Sequence, residues 1–468
     1  MSNSNKEEKI VAHNQRSLKT LIRAIEMGRG KFSLIIVRCN YESLQEQILP
    51  LLRQNTSREI EEFLIPKSAI SLYTSIKENL RNKSPDALIV LGLEFVQNLD
   101  TLLQSANRLR DKFRSFSFPI VLWLTDAGLK KLMQQAPDFN TFASAPIRFF
   151  LPDEELRALV CQRVDAAVND ADNFQIKRAE IEALRQDLAS RESDFDGETT
   201  ACFAFLDAWD LASNNQIDAA VKKYRESLAF WELSSNLERR GLVLLSLGCI
   251  EERKGETGWE KAADYFRESL EVFELDNRED LAAKYLGKLG ELLKQRQDWQ
   301  ALKNLAEKAI KLHENQNLKQ QVAIDYGWLA EVALQESQWK KAGEFARNAL
   351  AISEPKIAAK ERGLFLFILG QSLAELGQEK EAINYLAEAS LSLDTARRNK
   401  NSEYDAKLHV KILKKLRVMQ FDKKLYLAAF KNKLLQRQIE SQYGWRAFVG
   451  AGTLQPPARE LEDRKSTR

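Results

Sequence analysis

The 468-residue sequence predicts an α/β domain built on a parallel sheet, followed by an all-α superhelix of repeated helical hairpins. Two observations carry this. Short, continuously apolar runs alternate with helical spacing before residue 152, and one helical pattern recurs at a nearly constant interval from residue 199 onward.

Residues 1–14 are polar and charged, and they are expected as a disordered tail. A helix is expected over Arg16 to Met27, stopped by Gly28 and Gly30. Within 15–152, strands are expected at Phe32 to Val37, Glu62 to Ile65, Ala87 to Leu91, Pro119 to Leu124 and Ile147 to Leu151. Leu34-Ile35-Ile36-Val37 and Ala87-Leu88-Ile89-Val90-Leu91 are apolar throughout, as strands covered on both faces should be.

This order of elements resembles the core of P-loop signalling ATPases of the STAND class. Leu88-Ile89-Val90-Leu91-Gly92-Leu93-Glu94 looks like a Walker B strand with Gly92 where the resemblance puts a magnesium-binding acid, and Leu122-Trp123-Leu124-Thr125-Asp126 takes the place of the sensor strand. The loop after the first strand departs from the pattern. A phosphate loop needs glycines for close backbone approach and a lysine for charge compensation; here the strand runs into Arg38-Cys39-Asn40-Tyr41-Glu42-Ser43-Leu44. The domain therefore reads as degenerate, with no nucleotide hydrolysis and no cofactor. Gly28-Arg29-Gly30-Lys31 precedes its strand and lacks the first glycine, so it reads as a helix stop.

Helical spacing from Asp153 to Arg191 marks 153–198 as a helical connector, with the likeliest break at Ser193-Asp194-Phe195-Asp196-Gly197-Glu198. Over 199–395 about five hairpins are expected. Leu247-Gly248, Leu289-Gly290, Leu329-Ala330 and Leu369-Gly370 are each followed by a second-helix anchor, Ala262, Leu302, Ala342 or Ala382, and then by Ser269, Ala309, Ala349 or Ala389. Ala220, Tyr224 and Ser227 match a second helix in an atypical first repeat.

The pattern resembles the tetratricopeptide repeat, whose usual period is about 34 residues. Here Gly290, Ala330 and Gly370 are 40 apart; the intervals from Gly290 to Leu302 and from Ala330 to Ala342 are 12, and that from Ala309 to Ala330 is 21. The surplus is therefore expected in the second helix and the joint between hairpins. Trp259, Trp299 and Trp339 precede the anchors by three residues and read as staples at the hairpin turn, and Gly255 to Gly258 is a two-residue insertion. The family's groove positions, carried onto the first helices, fall on Arg253, Glu291, Lys294, Gln295, Glu331, Gln335, Gln371 and Glu375. Those side chains are also what an ordinary solvated helix face would carry.

Residues 396–445 are expected as basic capping helices and 446–468 as a flexible tail. Phe421 to Ser441 offers Leu425, Leu427, Phe430, Leu434 and Ile439 for a buried stripe. The segment Gln442-Tyr443-Gly444-Trp445-Arg446-Ala447-Phe448-Val449-Gly450-Ala451 is similar to one that follows repeat arrays in multidomain cyanobacterial STAND proteins.

The composition, 44% apolar and 29% charged, is that of a globular protein, and no apolar run approaches the roughly 18 residues of a membrane span. The formal charge of +3 conceals a basic end: 396–468 holds 18 Lys and Arg against 7 Asp and Glu. Cys39, Cys161, Cys202 and Cys249 lack paired spacing and read as reduced thiols of a cytoplasmic protein. His13, His313 and His409 lie in no metal-ligand spacing and are expected at the surface or on a helix flank, and no nucleophile elbow occurs. The expectation is a non-enzymatic adaptor or sensor without metal that binds a protein partner, a peptide or a helix, in the repeat groove. STAND resemblance implies a signalling or defence context and a separate NTPase or effector. A nucleotide-binding regulator and a nucleic-acid binder acting through the basic helices are the alternatives.

Overall fold

The computed structural model describes residues 3–81, 83–169, 174, 178–191, 195–353, 358–399 and 404–445. Two compact units divide the chain between Phe230 and Trp231. The first therefore reaches well past the connector expected at 153–198.

The first unit opens with α1 (Asn3–Met27), β1 (Ser33–Arg38), α2 (Glu42–Gln54), β2 (Ile60–Leu64), α3 (Leu72–Leu80), β3 (Ala87–Leu91), α4 (Leu99–Arg108), β4 (Pro119–Leu124), α5 (Asp126–Gln135), α6 (Pro137–Asn140) and β5 (Ile147–Arg148). All pairings are parallel, in the order β2-β3-β4-β1-β5. β3 and β4 are buried along their whole length, which accounts for their unbroken apolar sequence. Leu34, Ile36, Leu88, Val90, Ile120 and Leu122 meet Leu72, Ile76 and Leu102 of the covering helices in one core. The tail expected at 1–14 is helical from Asn3, and α1 is pinned to the sheet: Asn14 Nδ2 donates to the Phe150 carbonyl at 2.7 Å and Ser17 Oγ to that of Arg148 at 2.7 Å. Gly28 and Gly30 do end this helix, Gly30 at φ 74°.

α7 (Asp153–Asn169), α8 (Arg178–Ala189), α9 (Gly197–Ser213) and α10 (Ile217–Leu233) follow. Ala220, Tyr224 and Ser227 are buried in α10. Two of the thiols that lack paired spacing in the sequence meet here, with Cys161 Sγ of α7 2.8 Å from Cys202 Sγ of α9.

Helical hairpins make up the second unit: α11 (Leu237–Glu252), α12 (Trp259–Leu275), α13 (Glu279–Gln295), α14 (Trp299–Asn315), α15 (Lys319–Gln335), α16 (Trp339–Ser353), α17 (Ala359–Glu375), α18 (Glu379–Arg398), α19 (Ala406–Asp422) and α20 (Tyr426–Gln442). From α13 to α18 every helix starts 20 residues after the last, at 279, 299, 319, 339, 359 and 379. The period of 40 is thus two halves of 20, and α13, α14, α15 and α17 are each a 17-residue helix followed by a three-residue turn. Helices of 17 residues are about 25 Å long. The surplus over the tetratricopeptide pattern is helical on both sides of the joint, and the joint itself, 316–318, is short. That corrects the expectation that the joint absorbs part of it.

One cap explains the regularity. At the end of α13, Gln297 N donates to Lys294 O at 3.1 Å and Asp298 N to Leu293 O at 3.0 Å, with Gln297 at φ 57°. This is the Schellman arrangement. It recurs with Asn277, Asn317, Ser337, Gly377 and Lys424 in the left-handed position, so it closes joints within and between hairpins alike. α19 and α20 share it, and the segment expected as capping helices is a further hairpin of the array.

Side chains lock into places where neighbouring helices carry none. A Cβ on Gly290 would lie 2.2 Å from Trp328 of α15, one on Gly327 2.3 Å from Phe365 of α17, and one on Gly248 2.4 Å from Phe266 of α12. Two histidines expected at the surface or on a helix flank are buried in the packing between helices. His313 of α14 places Nδ1 2.6 Å from Asp325 Oδ2 of α15 and Nε2 3.0 Å from Ala283 O of α13, so it ties three helices together. Burial opposes a charge on this ring, but the Asp325 carboxylate and the Ala283 carbonyl outweigh it and hold its pKa above the usual value. His409, fully buried, lies 3.0 Å from Ser390 Oγ and 3.1 Å from Tyr404 Oη, and burial pulls its pKa down to about 4.

Two outcomes follow. A non-glycine residue in the left-handed region costs about 1–2 kcal/mol, partly offset by glycine's greater chain entropy. Gln297→Gly should therefore stabilise the second unit by about 0.5–1 kcal/mol, whereas Gly290→Val, driven against Trp328, should cost about 1–3 kcal/mol in urea titrations. For His409, the folded pKa of about 4 lies below the unfolded 6.5. The unfolded chain takes up a proton that the folded chain refuses between these values, so this contribution is complete above pH 6.5 and is lost as pH falls toward 4. It amounts to about 3 kcal/mol, and His409→Asn should flatten that limb of a stability-against-pH curve.

Candidate functional site

In the first unit the carboxyl ends of the adjacent strands β1 and β4 form a switch point, because the chain leaves β1 toward β2 on one side of the sheet and β4 toward β5 on the other. Ligands of open α/β sheets bind in the crevice at such a switch point. Here that crevice is bridged by side chains. Arg38, the last residue of β1, holds both carboxylate oxygens of Asp126 through Nε and Nη2. Asn40 Nδ2 donates to Asp126 Oδ2 at 3.1 Å while its Oδ1 accepts from Asp126 N at 2.8 Å. Tyr41 Oη donates to Asp187 Oδ2 of α8 at 2.5 Å. The loop that would cradle a phosphate is thus tied to α5 and α8.

Neither nucleophile in the loop is activated. Burial pushes the Cys39 thiol up to about 11, and burial with the neighbouring Asp187 raises the Tyr41 phenol. Glu94, the acid of the Walker B-like run, accepts from Thr125 N at 2.7 Å, and Thr125 Oγ1 in turn caps α5 through Gly128 N at 3.1 Å. Gly92, at φ 77°, has Leu64 Cδ1 2.6 Å from the position of a Cβ. Among the described residues no cluster of His, Cys, Asp and Glu has the form of a metal site.

Beside this network a cleft of about 830 Å³ opens between the sheet's carboxyl edge and α8. Leu64, Phe95, Trp123 and Ala183 supply apolar walls; of the charged lining, Asp126 is paired with Arg38 and Glu180 with Arg163 at 2.6 Å, which leaves Glu42, Glu46, Glu94 and Glu182 against Lys130 and Lys131. Lys131 is itself paired with Asp100 at 3.0 Å. An acidic lining repels a polyphosphate.

In the second unit the eight predicted groove residues share one location, the C-terminal turns of the first helices. Glu291, Glu331 and Gln371 are the thirteenth residues of α13, α15 and α17; Gln295, Gln335 and Glu375 are the seventeenth. Arg253 follows the last residue of α11. The structure gives them different roles. Lys294 Nζ lies 2.7 Å from Glu331 Oε2, and Lys415 Nζ donates to Glu375 Oε1 at 3.0 Å, so these pairs join successive hairpins. Burial works against the Lys294 ammonium, but Glu331, with Glu291 and Asp405 beyond it, keeps its pKa raised. Glu291, Gln295, Gln335 and Arg253 are exposed and Gln371 is half-buried.

The sequence reading missed the inward packing of the first helices. α11, α15 and α17 are buried around most of their circumference. The signal was present in runs such as Leu364-Phe365-Leu366-Phe367-Ile368-Leu369, apolar on every face. The exposed polar positions that remain are confined to helix ends.

No protein-family profile and no curated protein matches the chain. Among solved structures it is similar to the apo form of RapI, at 11% identity over 62% of this chain and 97% of that one, with a TM-score of 0.44. BtubC from P. vanneervenii matches at 17% identity over 55% and 96%, TM-score 0.36. YrrB, described as a TPR protein with an unusual peptide-binding site, matches at 15% over 45% and 93%, TM-score 0.32. The likeness is one of stacked helical hairpins and extends no further.

Arg38→Gln should leave Asp126 half-buried without its cation. The expected cost is about 1–3 kcal/mol, read as faster amide exchange in β1 and β4 than in the wild type.

Proposed function

We propose that this chain is a non-enzymatic protein-interaction adaptor whose repeat array takes a peptide or a helix along the edge formed by the C-terminal turns of its first helices. The observation that carries this reading is the 40-residue ladder of polar side chains at the thirteenth and seventeenth residues of the first helices, with Glu291, Gln295 and Gln335 exposed. Repeat arrays bind through such extended, regularly spaced surfaces. The Lys294–Glu331 and Lys415–Glu375 pairs support it by fixing the spacing between successive rungs. A signalling or defence setting of the STAND type, with a separate NTPase or effector, is the context that the resemblance of the first domain suggests.

A nucleotide-binding regulator is a weaker reading. The switch-point cleft favours it by position, while the acidic lining and the Arg38–Asp126 bridge oppose it.

Two measurements separate these. Glu331 and Glu375 brace the array, so the informative variant reverses the exposed rungs, Glu291→Lys with Gln335→Lys. Crosslinking capture from native lysate should lose about tenfold of its specific partner with this variant; equal capture by both proteins refutes the groove. ATP with magnesium should leave the melting temperature unchanged, since a ligand that binds only the folded state must raise it.

A further inference from the structure

The last helix, α20, is turned inside out relative to the second helices before it. The turn geometry sets the register: Lys424 takes the left-handed position and Tyr426 is the first helical residue, as Gly377 and Glu379 are for α18. At the second and ninth residues, α12, α14 and α16 carry Glu260 and Arg267, Gln300 and Glu307, and Lys340 and Arg347, all exposed. α20 carries Leu427 and Leu434 there. At the eighth and eleventh residues the earlier helices bury Phe266 and Ser269, Ala306 and Ala309, Ala346 and Ala349, and Leu386 and Ala389. α20 has Lys433 and Gln436.

Hydrogen bonds accordingly secure its inner face. Arg417 Nη1 donates to Gln436 Oε1 at 3.0 Å, Gln436 Nε2 to Glu440 Oε1 at 2.6 Å, and Asn432 Nδ2 to Gln420 Oε1 at 2.8 Å. The stripe expected to be buried faces outward, except for Ile439. Phe421, Leu425, Tyr426, Leu427, Phe430 and Leu434 are 48 to 70% exposed, and the Phe421 and Tyr426 rings meet edge-on at 5.3 Å. The second and ninth positions do not face a following hairpin, because they are solvated in hairpins that have a successor.

Charge identifies what the surface meets. From Phe421 to Gln442 there are two acidic residues, Asp422 exposed at the turn and Glu440 buried, whereas Lys423, Lys424, Lys431 and Arg437 are exposed among the apolar side chains. A second copy would set like charges against each other. A partner helix would cover one ridge, whereas these side chains protrude from both the turn and the helix. We infer that the α19–α20 turn and the outward face of α20 dock on an anionic membrane surface, the apolar and aromatic side chains entering the interface and the basic ones meeting the headgroups. No described helix is long and apolar enough to cross a membrane, so the contact is peripheral.

The test is co-sedimentation of the full chain with vesicles of phosphatidylcholine alone or with about 30% phosphatidylserine, a content that gives an anionic surface. Binding is expected to the second only, weakened by salt, and reduced about tenfold by Leu427→Ser with Leu434→Ser and again by Lys424→Glu with Lys431→Glu. Both pairs are exposed, so circular dichroism should match the wild type. Absence of binding to the anionic vesicles, or equal binding by well-folded variants, overturns the inference. So does a concentration-dependent dimer lost with the leucine pair, or binding of a labelled Glu/Leu amphipathic peptide without vesicle binding, which would assign the face to a second copy or to a protein.

Discussion

The array depends on one backbone device, the left-handed cap that ends its helices with two reversed hydrogen bonds. Because it satisfies the last carbonyls in three residues, the joints centred on Asn277, Gln297, Asn317, Ser337, Gly377 and Lys424 reverse the chain in the same way, whether they lie inside a hairpin or between two. Where the joints are equal, from α13 to α15, the helices are equal too, and equal helices put the same side-chain position of successive hairpins in line. The inter-repeat pairs Lys415–Glu375 and Lys294–Glu331, 40 and 37 residues apart in sequence, exist because of that alignment. Glycine at the crossings serves the same end by admitting Trp328 and Phe365 where a Cβ would force the helices apart.

The first unit shows how a sheet edge suited to ligands can be put to another use. Arg38, Asn40 and Asp126 satisfy each other at the switch point, where a binding loop would leave donors free for a phosphate. The polar groups are there, but they face one another. Glu94 is likewise committed to the start of α5. What remains is a cleft with apolar walls and an excess of carboxylates, a surface with a different preference from that of a nucleotide site.

Much of this was legible in the chain itself. The strands Ala87 to Leu91 and Pro119 to Leu124 were readable to the residue because buried parallel strands are apolar on both faces. The hairpins were readable because small residues must recur where helices cross, and the absence of a phosphate loop follows from Arg38 to Leu44 alone. Spacing also put the eight proposed groove residues on the C-terminal turns of the first helices, though not which of them are spent on bracing: an ion pair between hairpins depends on distances that spacing does not contain.

Tertiary structure decided the rest, for reasons that are physical rather than statistical. Polarity alone made residues 1–14 look like a free tail, yet Asn14 and Ser17 find backbone carbonyls more than 130 residues away. Histidine is ambiguous in sequence because burial is affordable once partners exist, as Asp325 and Ala283 are for His313. The same ambiguity governs α20. An amphipathic pattern states that a helix has two faces and leaves open which one turns inward; here the Gln436–Glu440–Arg417 hydrogen bonds hold the polar face against α19 and leave Leu427 and Phe430 outside. The sequence by itself determined the elements, their period and their order, because these rest on local sterics and periodicity. Which charges are free, which histidines are buried and which way the last helix faces belong to the tertiary structure, because each depends on partners distant along the chain.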